Sequence, residues 1–220
     1  MSELIVSLPT DPGLREAIGD EAGVTFLTWD LDGPAPSERF DLVVPPYWGG
    51  NRQLAQLEGV DTRLVQWQSI GYNGVTKYLP AEVPLANAAT VHETSTAELA
   101  LALTLAAQRG IPEFVRDATE HRWDLRSFPS IADRRVLLIG YGGVSKAIEA
   151  RLAGFEVSIA RLARTAREET NLAGETVVAH SFSELHTQLA QAEIVILAVP
   201  LTDETRGLID AAALAALPDD

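Results

Sequence analysis

The 220-residue sequence has no cysteine, a single methionine and only 6% aromatic residues. Without cysteine, disulfides, thiolate nucleophiles and cysteine metal sites are excluded. Positive charge is also scarce. There are 17 Lys and Arg against 31 Asp and Glu, giving a formal net charge of −14. A surface of that sign argues against nucleic acid or an anionic membrane as a partner. It also requires any phosphate-binding site to be locally electropositive. Long hydrophobic runs are missing too: the least charged apolar stretch, Leu99 to Ala107, is too short to span a bilayer. The segment Met1-Ser2-Glu3-Leu4 lacks the basic region and apolar core of a signal peptide. These absences fit a reducing cytoplasm, the expected location. The hydrophobic share of 46% and charged share of 22% are those of a globular chain able to bury a sizeable core.

The most informative stretch runs from Val136 to Leu152. Four apolar residues, Val136 to Ile139, lead into Gly140-Tyr141-Gly142-Gly143. A helical pattern follows at once, with Val144, Ala147, Ile148 and Leu152 on one face. This is the strand–turn–helix order of a dinucleotide-binding fingerprint. The strand delivers the backbone to a tight turn at Gly140. Gly142, lacking a side chain, lets a pyrophosphate approach the main chain. The free N–H groups and positive dipole end of the helix then face the anion. Ser145 stands where the fingerprint has its third glycine, a position that needs a small residue. Glycines in an ordinary strand–helix turn are the plain alternative.

Around this stretch, strands alternate with helices. Strands are expected at Leu4–Leu8, Val24–Trp29, Asp41–Val44, Leu64–Gln68 and Val83–Asn87. Helices are expected at 11–18, opened by Pro12, and at Asn51–Leu57. The loop Ser69-Ile70-Gly71-Tyr72-Asn73-Gly74 follows the fourth strand and is a candidate ligand loop, or a plain glycine turn. Ser95-Thr96-Ala97-Glu98 reads as a capping box with Ser95 as N-cap. The helix it opens, Thr96–Gln108, is apolar on nearly every face, which predicts burial between domains or against a partner subunit. A polar helix at Glu113–Trp123 precedes the fingerprint. After it come a strand at Glu156–Leu162, a loop at 164–169, a short strand at Thr176–Val178, a helix at 183–191, a strand at Ile194–Val199 closed by Pro200, and a last helix at 210–217. The pattern predicts an α/β chain of two Rossmann-like parallel-sheet domains. The boundaries are 1–94 for a flavodoxin-like substrate domain and 95–220 for a dinucleotide-binding domain.

An NAD site places an acidic residue about 20 positions past the first glycine, on the ribose hydroxyls. Here that window, Ala160 to Arg164, contains no carboxylate, and arginines stand at 161, 164 and 167. Arginine pairs with a 2′-phosphate that a carboxylate would repel. The expected cofactor is therefore NADP(H) in preference to NAD(H), with Arg164 the leading contact and a solvated basic loop the alternative.

Several stretches together resemble the D-isomer-specific 2-hydroxyacid dehydrogenases, the group that includes glyoxylate/hydroxypyruvate reductases and phosphoglycerate dehydrogenases. They are Ser69-Ile70-Gly71-Tyr72-Asn73, Asn87 through Ala100, Val136 to Ala147, and Val199-Pro200-Leu201-Thr202-Asp203-Glu204-Thr205-Arg206-Gly207-Leu208-Ile209. The resemblance implies hydride transfer between a nicotinamide and a small 2-oxo acid. It implies that Ser69, Ile70 and Gly71 hold the substrate carboxylate through backbone N–H groups. It also implies that Thr96, Gly140, Gly142, Gly143, Val144, Ser145, Pro200 and Thr205 lie along the cofactor. Ala163 falls where NAD-preferring relatives carry aspartate. The 95–126 region falls where relatives form a homodimer.

Two departures from the family pattern stand out. Asn73 replaces an aspartate of the substrate loop. The family's catalytic arginine, glutamate and histidine would lie beyond Asp220, so the chain reads as truncated and its own activity as weak. The internal histidines, His92, His121, His180 and His186, read as structural or solvated, with no orienting carboxylate evident. No metal site is expected. The alternatives to an enzyme are a cofactor-binding regulatory protein and an inactive fragment.

Overall fold

The computed structural model describes residues 3–218, and the chain divides between Val91 and His92 into two units. The first contains β1 (Leu4–Leu8), α1 (Pro12–Ile18), β2 (Val24–Thr28), β3 (Arg39–Phe40), β4 (Leu42–Val43), β5 (Asp61–Thr62), β6 (Val65–Gln66) and β7 (Leu85–Ala86). Its main sheet has the order β2-β1-β4-β6-β7 and every pairing in it is parallel. Asp11 caps α1 by accepting from the Leu14 N–H, and Pro12 opens the helix where a missing N–H costs nothing. The core gathers Trp29, stacked on Phe40, with Val43, Leu54, Leu57 and Val65. The expected helix over Asn51–Leu57 is of the 3-10 type. The bonds Gln53 N–H to Gly50 O and Glu58 N–H to Ala55 O span three residues, as suits a short connector.

The second unit contains α2 (Glu93–Gln108), α3 (Ile111–Thr119), β8 (Arg135–Ile139), α4 (Gly143–Leu152), β9 (Ser158–Ala163), β10 (Arg167–Thr170), β11 (Thr176–Ser181), α5 (Leu185–Leu189), β12 (Ile194–Leu197) and α6 (Ala211–Ala215). The sheet order is β10-β11-β9-β8-β12, parallel except for the β10–β11 hairpin. Strand β8 is its centre. Val136 and Leu138 join the core under α4, and Leu137 and Ile139 join the core under α5 and α6. All four are at most 1% exposed, because a parallel sheet covered on both faces wants apolar side chains at every position. Each contributes about 1.5–3 kcal/mol of burial. Among the described residues no helix is long and apolar enough to cross a membrane.

Two local expectations are corrected. The long helix starts one turn earlier than predicted. Its N-cap is His92, the Thr96 N–H closes the first turn on the His92 carbonyl, and Ser95 Oγ donates to that same oxygen at 3.2 Å instead of capping the helix. Within this chain one side of that helix is buried, and the apolar residues on its other side are those the expectation assigns to another domain or a partner subunit. Ala97 is fully buried and Ala100, Leu101 and Leu105 pack beside it toward α4, but Leu99 and Leu103 are 60% and 62% exposed. Apolar residues on every side bury only the side that meets a neighbour. Finally, part of the expected 164–169 loop is strand β10. Its Arg-Glu-Glu-Thr sequence has no apolar alternation, and charge is what keeps an edge strand from pairing further.

Candidate functional site

Strand β8 ends at Gly140, where φ is +89°. A side chain would be strained in this region. It would also collide with the Ala198 carbonyl oxygen and lie 2.7 Å from Val199 Cγ1. Gly140 is thus a packing glycine, required where the chain leaving β12 passes close by. Gly142 is a different case. Its backbone is extended (φ −110°, ψ −164°), and a Cβ built there would meet nothing within 4 Å. The protein's own packing does not need this glycine. It is the N-cap of α4 and, as glycine, brings no side chain of its own to cap that helix. Gly142 opens onto space at the positive end of the dipole, while at Gly143 the helix meets the Glu93 side chain, whose Oε1 would lie 2.8 Å from a Cβ built there. The space beside Gly142 is where an anion could approach the main chain of this turn, and a Cβ at 142 would begin to fill it.

Ser145, in the place of the third glycine, is fully buried, and its Oγ donates to the Gly140 carbonyl oxygen. The substitution is more than tolerated: it ties the turn to the helix that follows.

Beyond the carboxyl ends of β8, β9 and β12 lies a pocket of about 300 Å³. Gly140, Gly142, Arg164, Pro200 and Thr205, all expected along a cofactor, line it together with Arg167. Parallel sheets hold their ligands at this edge. Thr205 shapes the loop after β12 by donating its hydroxyl to the Pro200 carbonyl at 2.6 Å and accepting from the Thr202 N–H at 2.8 Å. Thr96 lies on the exposed first turn of α2 and does not line this pocket.

The three arginines have three different roles. Arg161 lies under α4, where Nε and Nη2 each donate to the Glu149 carboxylate at 2.8 Å. Tyr141 Oη and Asn171 Nδ2 donate to the same carboxylate at 2.7 and 2.9 Å. Burial opposes the charge on Glu149, but the bonds from Arg161, Tyr141 and Asn171 outweigh it and hold the carboxyl below its usual range. Burial, reinforced by Glu149, pushes the Tyr141 hydroxyl up to about 12. Arg167 donates to the Tyr141 carbonyl and to Glu169, which also takes Lys146 at 2.9 Å, so the β10–β11 hairpin is strapped to the glycine turn. Arg167 first, then Lys146, lowers the Glu169 carboxyl. Arg164 is 67% exposed and meets one carboxylate, Glu204, at 2.9 Å.

In the first unit, the carbonyls of Ser69, Ile70 and Gly71 are each taken: by the Ala88 N–H at 3.1 Å, Asn87 Nδ2 at 2.9 Å and Trp67 Nε1 at 2.9 Å. Because peptides are planar and trans, the N–H groups of Ile70, Gly71 and Tyr72 are fixed pointing the opposite way. The carbonyl bonds thus fix the orientation of the loop's peptides.

Sequence reasoning missed Glu149, Glu204 and the Lys146–Glu169–Arg167 strap. It also found no histidine beside a carboxylate, whereas His180 Nδ1 lies 3.1 Å from Glu184 Oε2. That pair is outside the pocket, and Glu184 also accepts from the Ser181 N–H in a capping box. Among the described residues no cluster of three or more metal-ligating side chains occurs.

Comparison with known proteins adds a family. Residues 101–220 match the model described as "D-isomer specific 2-hydroxyacid dehydrogenase, NAD binding domain". A dehydrogenase from Hormonema carpetanum, efuE, is 29% identical over 86% of this chain and 48% of its own length. A glyoxylate reductase from Pyrococcus horikoshii is 29% identical over 67% of this chain and 46% of its own. The chain thus spans about half the length of these curated relatives. A solved D-isomer specific 2-hydroxyacid dehydrogenase from Xanthobacter autotrophicus, in complex with NADPH and MES, superposes with a TM-score of 0.75 at 24% identity, over 99% of this chain and 70% of that one. That likeness is one of fold.

Proposed function

The chain belongs to the D-isomer specific 2-hydroxyacid dehydrogenase family, and from that premise we propose that it supplies the cofactor and carboxylate sites for hydride transfer between NAD(P)H and a small 2-oxo acid. The observation that carries this reading is the pocket itself. A helix N-terminus that starts from an open glycine and two arginines meet at one carboxyl edge. The first-turn N–H groups of α4 take the pyrophosphate. Gly142 makes room for it, and Pro200 and Thr205 form the facing wall. Arg164 takes the 2′-phosphate, so NADP(H) is preferred over NAD(H); Ala163, at the end of β9, brings no carboxylate to repel it. When bound, the nicotinamide supplies the hydride. The amides after Ser69 and Ile70 orient the substrate through its carboxylate. Residues up to 94 serve the substrate and residues from 95 on the cofactor, with the 95–126 region as a homodimer contact.

The test is equilibrium binding. NADPH and NADH are titrated into the 220-residue chain and followed by energy transfer from tryptophan. NADPH is expected to bind at least about tenfold tighter, the worth of one charged hydrogen-bond set to phosphate. Equal affinities contradict the NADP preference, and failure of both to bind contradicts the cofactor site. A chain that binds NADPH and changes its oligomeric state, but whose NADPH is not oxidised on adding glyoxylate or hydroxypyruvate, speaks for a regulatory role.

A further inference from the structure

Arg164, the residue assigned to the 2′-phosphate, already has an anion. Its Nε lies 2.9 Å from Glu204 Oε2, and the two side chains are 67% and 63% exposed. They come from different segments of the unit, Arg164 from the end of β9 and Glu204 from the loop after β12. Both segments line the pocket, through Arg164 itself and through Thr205 beside Glu204. The pair therefore spans the rim of the pocket.

Glu204 is held there by its loop. Thr205 Oγ1 bonds to the Pro200 carbonyl, the Thr202 N–H bonds to Thr205 Oγ1 at 2.8 Å, and the Arg206 N–H bonds to the Thr202 carbonyl at 2.9 Å. An ion pair this exposed adds little to folding. Its consequence falls on whatever anion next seeks the guanidinium.

We infer that Glu204 is a specificity-determining residue: its carboxylate occupies Arg164 in the place of the 2′-phosphate and so tempers the preference for a phosphorylated dinucleotide. This deepens the reading that Arg164 receives that phosphate, and rests on it. A ligand with a 2′-phosphate has to displace the carboxylate or share the guanidinium with it, against like-charge repulsion. A ligand with a free 2′-hydroxyl leaves the pair intact. The pair therefore acts on the ratio of the two affinities and leaves the shared pyrophosphate and adenine contacts alone.

The experiment uses 2′,5′-ADP and 5′-AMP, which differ only in the 2′-phosphate, titrated calorimetrically into the 220-residue chain. Glu204→Gln is expected to tighten 2′,5′-ADP about two- to fivefold, the strength of an exposed ion pair, and to leave 5′-AMP unchanged. High salt shrinks this gain, as screening weakens the original pair. In an Arg164→Gln background, Glu204→Gln is expected to change neither affinity. Equal tightening of both nucleotides, no change in either, or a gain that persists without Arg164 overturns the inference. Arg164→Gln alone tests the underlying reading. If it leaves 2′,5′-ADP binding intact, the 2′-phosphate assignment fails whatever Glu204 does. Both positions are exposed, so unchanged circular dichroism and melting temperature serve as the folding control for every variant.

Discussion

Replacing Arg161 separates its structural role from the cofactor role its neighbourhood suggests. Arg161 and Glu149 are 15% and 8% exposed and share two bonds of 2.8 Å. Arg161→Met leaves a buried carboxylate facing only the two neutral donors, Tyr141 and Asn171. Breaking a buried pair from one side costs about 3–5 kcal/mol. The surviving donors and slight exposure bring this to about 2–4 kcal/mol, or about 6–12 °C in melting temperature for a chain of this size. The double variant Glu149→Gln/Arg161→Met buries no charge and is expected to recover a good part of the loss. The pH dependence has a definite sign. In the parent, Glu149 is held below its usual value, so its stabilisation is present above the unfolded value near ~4.3 and is lost as pH falls through the folded value. In Arg161→Met, burial acts without the counter-ion and raises that carboxyl. The variant then regains stability in acid, and the gap to the parent closes between neutral pH and about pH 4.5. Thermal denaturation followed by circular dichroism across that range reads all of this. A melting shift under about 2 °C, or a gap that does not narrow in acid, refutes the assignment. So does a folded variant that has lost its NADPH preference, since Arg161 would then be a cofactor ligand.

The two turn glycines are expected to part company. Gly142→Ala keeps the melting temperature and weakens NADPH binding about tenfold or more, or about 1.4 kcal/mol; Gly140→Ala, strained and colliding with the chain after β12, loses about 1–3 kcal/mol of stability. Calorimetry and denaturant titration on the pair check this, and equal behaviour of the two contradicts it. Tyr141, raised to about 12, is expected to ionise last among the tyrosines. Absorbance at 295 nm during an alkaline titration should lose its latest step in Tyr141→Phe, and a step lost near pH 10 instead contradicts the burial reading.

The alternation of strands and helices and the glycine turn were legible because segments such as β8 and α4 carry strong periodicities that propensity and packing both support. Strand parity could also have settled Arg161. It shares its parity with Ile159 and Ala163, which face the core under α4, so it points into the layer, whereas Arg164 follows the strand's last residue. The β10–β11 hairpin was hidden because an edge strand of charged residues carries no apolar alternation. Ser95 misled because a box motif marks a helix start only if the chain enters there, and tertiary contacts of α2 with α4 set that entry a turn earlier. Glu204 was out of reach for a different reason. Its meeting with Arg164 depends on how the loop after β12 returns over the end of β9, which no local pattern encodes.

A crystal structure of the chain grown with NADP⁺ is the most direct measurement of where the cofactor lies. The expected result places the pyrophosphate against the N–H groups of Gly143, Val144 and Ser145, with the 2′-phosphate within hydrogen-bond reach of Arg164. A dinucleotide bound elsewhere on the unit, or one seated on the glycine turn with its 2′-phosphate directed away from Arg164, contradicts it.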